Sequence, residues 1–246
     1  MAYTFDASLY STTNPFNYTC GSGATLLILG IHSVSGVRTG LDPTFGGKPM
    51  LRVANAAFDY GEGSGELWYL INPSTNSQYS ISMGNSTNQT LYLRASSYKA
   101  TNITYQTILD ASLWTNTTST NPSHTIAAKA GGVIVQLCSH EATSLPTAYS
   151  DNRILPVDHG QNNSWMQYKL VSTTGNATVS ATQNSDEYIL ITASFSEQKS
   201  YGGILKYYNG NSWVECPSSN LKIYLNSTWQ ILPQDKFKIY RPDKTP

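Results

Sequence analysis

Charge is what this chain has least of. Only 12% of its 246 residues are Asp, Glu, Lys or Arg, and fifteen bases balance fifteen acids, where a soluble domain usually carries about 25% charged residues. A nucleic-acid-binding surface leaves a basic footprint, so nucleic acid is not an expected partner. Cysteine is nearly missing too. Cys20, Cys138 and Cys216 are far apart and odd in number, which excludes a full disulfide framework and any C-x-x-C metal spacing. Cys138, inside an apolar run, reads as a buried thiol. The longest apolar runs, 26–31 and 133–138, fall far short of the roughly 20 residues of a spanning helix, so membrane insertion is not expected. The opening Met1-Ala2-Tyr3-Thr4-Phe5-Asp6 has neither the basic nor the apolar region of an ordinary signal peptide, so none is expected.

Catalytic patterns are as scarce as charge. A nucleophile–His–acid site needs three groups brought together, and the best local cluster is Asp158-His159 with Ser164 nearby. It lacks the strand–turn–helix elbow that exposes a nucleophile and reads as a polar surface loop. His140-Glu141 lacks the second His of a zinc helix, and Gly61-Glu62-Gly63-Ser64-Gly65 lacks the Lys-Ser/Thr of a phosphate cradle. Asp59, Glu62 and Glu66 form a weak candidate for Ca²⁺, which takes about six to eight oxygens. A flexible hairpin turn is the expected reading of these residues. No enzyme activity and no cofactor are expected.

What is present is β-sequence. Helical periodicity is nearly absent. Short β-rich runs bounded by Gly, Pro, Asn or Ser occupy 25–32, 49–54, 66–71, 78–83, 90–94, 103–109, 132–138, 165–171, 177–181 and 187–194. Residues 79–83 and 90–94 alternate, as half-buried antiparallel strands do. Residues 26–29 and 133–135 are continuously apolar, as strands covered on both faces are. The reading is an all-β chain: an antiparallel, jelly-roll-like β-sandwich over 1–195, a linker at 196–203 and a small β-hairpin repeat domain at 204–246. Residues 115–123 and 139–163, polar and aperiodic, read as long loops.

The C-terminal end repeats itself. Leu205-Lys206-Tyr207-Tyr208 recurs as Leu221-Lys222-Ile223-Tyr224 and again as Phe237-Lys238-Ile239-Tyr240, in steps of 16 residues, and Trp213/Trp229 and Pro217/Pro233 keep the same phase. Such a unit is one short hairpin. This end is also mildly basic: residues 204–246 hold six Lys/Arg against three acids, and 1–203 hold nine against twelve.

Two resemblances follow from these residues. Leu26-Leu27-Ile28-Leu29-Gly30, Phe45-Gly46-Gly47-Lys48-Pro49-Met50, Glu66-Leu67-Trp68-Tyr69-Leu70-Ile71-Asn72-Pro73 and Gly131-Gly132-Val133-Ile134-Val135 resemble a β-sandwich module of bacterial surface proteins and of phage and archaeal-virus structural proteins. The repeats at 204–240 are similar to those near the ends of phage tail and other virion proteins. The resemblance implies scaffolding, decoration or adhesion within a virion, with other virion subunits as partners, and the low charge and 17 tyrosines point to a homo-oligomer or a permanent partner. A carbohydrate-binding accessory module at the cell surface or outside the cell is the competing expectation.

Two further features bear on a surface role. Asn17, Asn85, Asn88, Asn102, Asn116, Asn162, Asn176 and Asn226 all stand in N-x-S/T, the glycosylation acceptor pattern. Of the five tryptophans, Trp114 beside the Asn/Thr-rich stretch is the least core-like, and Trp114, Trp213 and Trp229 are the aromatics read as interface or host-glycan contacts. The repeat reading has a direct test. Trp229→Ala should loosen 204–240 and spare 25–195 in hydrogen exchange, at about 3–5 kcal/mol if the ring is buried. Unchanged protection of 204–240 would remove the physical basis of the repeat.

Overall fold

The computed structural model describes residues 2–33, 41–57, 63–84, 91–100, 105–140, 146–154, 164–199, 206–208, 213–215, 222–225 and 228–231. None of these is helical. The chain falls into two compact units, Met1–Lys199 and Ser200–Pro246.

The first unit opens with β1 (Tyr3–Ser11), β2 (Phe16–Thr19), β3 (Ala24–Ser33), β4 (Thr44–Phe45), β5 (Lys48–Pro49), β6 (Leu51–Ala57), β7 (Ser64–Ile71), β8 (Gln78–Ser82) and β9 (Leu91–Ala100). It continues with β10 (Tyr105–Ser119), β11 (Ser123–Ala128), β12 (Val133–His140), β13 (Ala148–Tyr149), β14 (Asn152–Ile154), β15 (Ser164–Leu170), β16 (Gly175–Thr182) and β17 (Asp186–Lys199). Two large sheets result, ordered β1-β9-β3-β7-β6 and β10-β17-β12-β15-β14. Two small ones, β2-β8-β4-β5 and β11-β16-β13, accompany them. All ladders between these strands are antiparallel.

The stretches 3–100 and 105–199 share one topology. Numbered in chain order within its own half, each large sheet reads 1-5-2-4-3. Details of register repeat as well. The first strand of each half carries a bulge at an aspartate, Asp6 between Phe5 and Ala7, and Asp110 between Leu109 and Ala111. Such an extra residue escapes the ladder and re-aims its side chain. Asp6 meets Lys99 at 2.8 Å, and Asp110 meets Lys129. Burial works against the charge on Asp6, but Lys99, the Ser97 hydroxyl and the Gly21 N–H outweigh it and hold the carboxyl below its ordinary value.

Burial explains which strands are apolar throughout. The large sheets pack face to face, so Leu26, Ile28, Leu67 and Tyr98 share a core with Val133, Leu137, Met166, Ile191 and Phe195. Gly30 marks the close approach, since a Cβ there would collide with Met166 and crowd Leu137. The outer face of the first sheet carries Leu27, Leu29 and Ile31 against Phe16, Tyr18, Phe45 and Ile81 of the small sheet. The second half repeats this with Ile134 against Ile126 and Val179, and Cys138 with Trp165 against Ala181. Central strands β3 and β12 are therefore covered on both faces, and every residue of each is buried. The small strands are covered on one face and alternate, as β2 and β11 do.

Both halves run the same way. Tyr3 N–H donates to Gly131 just ahead of β12, whereas Gly65 at the start of β7 lies against Ser139 at the end of β12. The registers then place Ser33, Ser64 and Leu91 with Ser139 and Ser164 at one end of the sandwich. Tyr3, Ala100 and Lys199 lie at the other.

Several boundaries differ from the sequence reading. β10 runs to Ser119, so most of the Asn/Thr-rich stretch read as loop is a strand. Its Thr residues are β-branched and suit the pleat. β13 and β14 lie inside the second presumed loop, and β17 continues through 196–199, residues read as linker. In the second unit, β18 (Lys206–Tyr208) pairs with β19 (Trp213–Glu215), and β20 (Lys222–Leu225) pairs with β21 (Thr228–Ile231). Tyr208 stands opposite Trp213, and Tyr224 opposite Trp229, the same register 16 residues on. The third repeat, 237–240, lies outside the described residues.

One buried histidine makes the fold pH-sensitive. His124, 4% exposed, is held between the Thr115 hydroxyl at 3.0 Å and the Thr192 hydroxyl at 2.8 Å. Burial lowers its pKa to about 4. The unfolded chain protonates this ring near its ordinary value of about 6.5, so between the two values the unfolded state binds more protons. Stability is full above about pH 6.5 and falls as pH drops toward about 4, by a few kcal/mol in total. Urea titrations at stepped pH should show this fall, and His124→Gln should flatten it. An unaltered profile in the variant would place the sensitivity elsewhere.

Candidate functional site

The least ordinary chemistry in the first unit gathers where β15 begins. Arg94 of β9 is completely buried. Both its terminal nitrogens donate to Ser164, one to the hydroxyl and one to the carbonyl. The Tyr10 ring lies under the guanidinium, 5.3 Å from its carbon. No described carboxylate pairs with it, and Nε has no acceptor. Desolvation pulls its pKa down to about 10, so the charge persists at neutral pH with no counter-ion among the described residues. A buried cation in that state costs stability unless something compensates it.

The neighbouring Trp165, also fully buried, donates its indole N–H to Gln183 Oε1 at 3.2 Å and takes the Tyr149 ring edge-on at 5.4 Å. Gln183 Nε2 is buried without a partner. Arg153 stacks on Tyr149 at 5.3 Å, and burial pushes the Tyr149 hydroxyl up to about 12 against the opposing guanidinium of Arg153. On the outer side, Ala148, Tyr149, Ser150, Ser180, Ala181 and Thr182 line a shallow, open depression of about 200 Å³. At its rim, Asp151 is engaged by Lys169 at 3.1 Å and by the Ser150 hydroxyl at 2.6 Å.

None of this corner was singled out from sequence except Ser164. The candidate residues lie elsewhere. Asp59 and Glu62 are outside the described residues, and Glu66 is buried, accepting the Trp68 indole N–H at 2.8 Å. Among the described residues no group of His, Cys, Asp and Glu is arranged to hold a metal. Asp158 and His159 lie outside the described residues, and Ser164 is occupied by Arg94. Asn17 on β2 and Asn176 on β16 are exposed, and Asn116 on β10 is half-buried. Asn85, Asn88, Asn102, Asn162 and Asn226 lie outside the described residues. Trp114 is 52% exposed on β10, whereas Trp68 and Trp165 are core. Trp213 opens the second strand of the first C-terminal hairpin, and Trp229 is the second residue of the second strand of the next. Cys20 and Cys138 are buried thiols, and burial pushes the Cys20 thiol up to about 12.

The Arg94–Ser164 contact has a measurable weight. Ser164→Ala deletes one of its two acceptors and should destabilise the protein by about 1.5–3 kcal/mol, the usual worth of a hydrogen bond to a charged group. Arg94→Met removes the charge and keeps the volume, and should cost less or nothing. Urea midpoints read both. A larger loss in Arg94→Met would show that the buried charge is already compensated.

Compared with protein-family models, with curated proteins and with solved structures, the chain finds no match in any of the three.

Proposed function

We propose that this chain is a structural component of a virus particle, a decoration, tail or fibre subunit, or surface adhesin, that works by packing β-surface against neighbouring subunits and presenting loops outward. The observation that carries the reading is the edge strand β10. Among the described strands it pairs with β17 alone. Beyond the bulge, its residues 111–119 hold no charge and no proline. Leu113 and Trp114 are 40% and 52% exposed there. Edge strands of monomers are usually short or guarded by Lys, Pro or inward charges, and interfaces favour aromatics over charge. β10 has the make-up of a strand that another subunit covers.

Three other features favour the same reading: the scarcity of charge over the whole chain, the all-β, antiparallel sandwich build of the first unit, and the 16-residue hairpins of the second unit. The reading makes the chain a homo-oligomer on the particle, without catalysis or membrane insertion. A second reading, a carbohydrate-binding accessory module at the cell surface, is favoured by Trp114. Its half-exposed ring is available to stack on a host-surface sugar.

Light scattering should find an oligomer, and Trp114→Lys, which guards the edge, should convert it to monomer without unfolding. Proteomics of purified particles should contain the chain. A stable wild-type monomer that no particle carries overturns the proposal, as does a hydrolase activity lost in His159→Ala.

A further inference from the structure

Large apolar side chains that stand exposed among the described residues gather at the two flanks of the sandwich, where the sheets end. One flank is made by β6 of the first sheet and β10 of the second, which lie against each other, and it carries Leu51, Leu113 and Trp114. The other is made by β1 with β14 and β15, where Phe5 stacks on Tyr168 at 4.9 Å, and it carries Phe5, Leu9 and Leu170. This second flank is guarded as sheet edges usually are. Asp6 of β1 is paired with Lys99, Arg153 sits on β14, and Lys169 of β15 is paired with Asp151. On the first flank, Arg52 of β6 is laid over Trp68 at 5.6 Å and Asp110 is held by Lys129 at the bulge. Beyond that bulge, residues 111–119 have no charge to guard them.

Residues opposite each other in a ladder share a face. Trp114 stands opposite Ile191 of the core, and Leu51 opposite Tyr69, whose ring packs on Phe195 of the other sheet. Both side chains therefore belong to the space between the sheets, yet they are 52% and 54% exposed. Beside them runs the open backbone edge of 111–119, about 30 Å long at about 3.4 Å per residue. Only an extended strand that brings a sheet of its own covers both the backbone and the apolar rim. Within this chain, β10 itself is the strand that fits. Of the other edges among the described strands, β1, β5, β6 and β14 carry Asp6, Lys48, Arg52 and Arg153. The uncharged edges β2, β11 and β13 have six residues or fewer, and the hairpin strands of the second unit three or four. A charged strand laid along 111–119 would lose water without meeting a counter-charge.

Resting on the subunit-packing reading above, we infer that the strand covering β10 is β10 of a second copy, paired antiparallel about a two-fold axis. Two-fold closure is the commonest symmetry of homo-oligomers, and it sets one patch against itself. The neutral stretch begins after the bulge at Asp110 and ends with the strand at Ser119. Full overlap of that stretch with its copy puts the axis at Thr115. Leu113 then faces Thr117 of the second copy, and Trp114 faces Asn116. The two five-stranded sheets that contain β10 become one sheet of ten strands. The two β6 edges come side by side across the axis, which closes Leu51 and Trp114 off from water.

The test is cross-linking of the full chain in a Cys216→Ser background, in which the other native thiols, Cys20 and Cys138, are buried. Leu113→Cys and Thr117→Cys are made as separate variants, and both positions are exposed. Co-expressed and treated with a short bis-maleimide, the two should give covalent dimer, since opposed Cβ atoms lie about 4.5–5.5 Å apart. Either variant alone should give at least about tenfold less, because its two cysteines stand about 14 Å apart along the strands. A second pair of variants reads the same register by light scattering. Leu113→Lys with Thr117→Lys in one chain sets like charges opposite each other and should weaken self-association at least about tenfold relative to Leu113→Glu with Thr117→Lys. If a cysteine variant fails to fold, as judged by circular dichroism, the charge variants decide. Equal cross-linking by one variant alone, or equal association of the two charge variants, overturns the pairing. An oligomer that gives no cross-link also overturns it and leaves the subunit-packing reading standing, whereas a wild-type monomer overturns both.

Discussion

The face-to-face contact of the two large sheets is the constraint on which the rest of the first unit depends. A five-stranded sheet with apolar residues on both faces is stable only when both faces are covered, because exposed apolar area costs about 25 cal/mol for each Å². Each sheet here covers the inner face of the other. Each outer face then needs its own lid, and the small sheets β2-β8-β4-β5 and β11-β16-β13 provide it. The order of layers is thus small sheet, large sheet, large sheet, small sheet. Gly30 and the bulges at Asp6 and Asp110 serve that packing, the first by admitting Met166 and the others by turning a charged side chain out of the ladder.

Much of the fold was legible in the sequence. The continuous apolar runs around Leu26 and Val133 are the two central strands, and the short β-rich runs are strands in the structure, with the run at 49–54 divided between β5 and β6. The duplication was not legible. Equivalent positions stand 107 residues apart for Leu26 and Val133 but 97 for Tyr98 and Phe195, as the paired registers show. Loops of unequal length change the spacing strand by strand, so no fixed period exists for a sequence reading to detect. Identities survive at few places, among them Asp6/Asp110, Arg52/Arg153 and Tyr69/Tyr168. The C-terminal hairpins were visible for the opposite reason: their spacing is constant.

The corner around Ser164 was illegible on other grounds. Arg94 and Ser164 lie 70 residues apart, and neither belongs to a motif. Tyr149 and Ala181 are matched to Phe45 and Ile81 only through the register of both halves. Trp114 was legible as exposed because Asn and Thr surround it, but its strand was not, since a Thr-rich segment suits a loop and an edge strand equally well.

The way each half closes on itself has a consequence for how the unit can be cut. Tyr3 opens the first half beside Ala100, which ends it, and Tyr105 opens the second beside Lys199. Tyr3 also reaches across to donate to Thr107 of the second half at 2.7 Å. Both junctions therefore lie at one end of the sandwich, and the unit resembles a ring of two equal links with one link left open. A circular permutant of the first unit that joins 199 to 3 and opens the chain at 101–104 keeps every strand and every ladder described in that unit. Packing within the first unit therefore does not dictate the order in which its two halves follow one another along the chain.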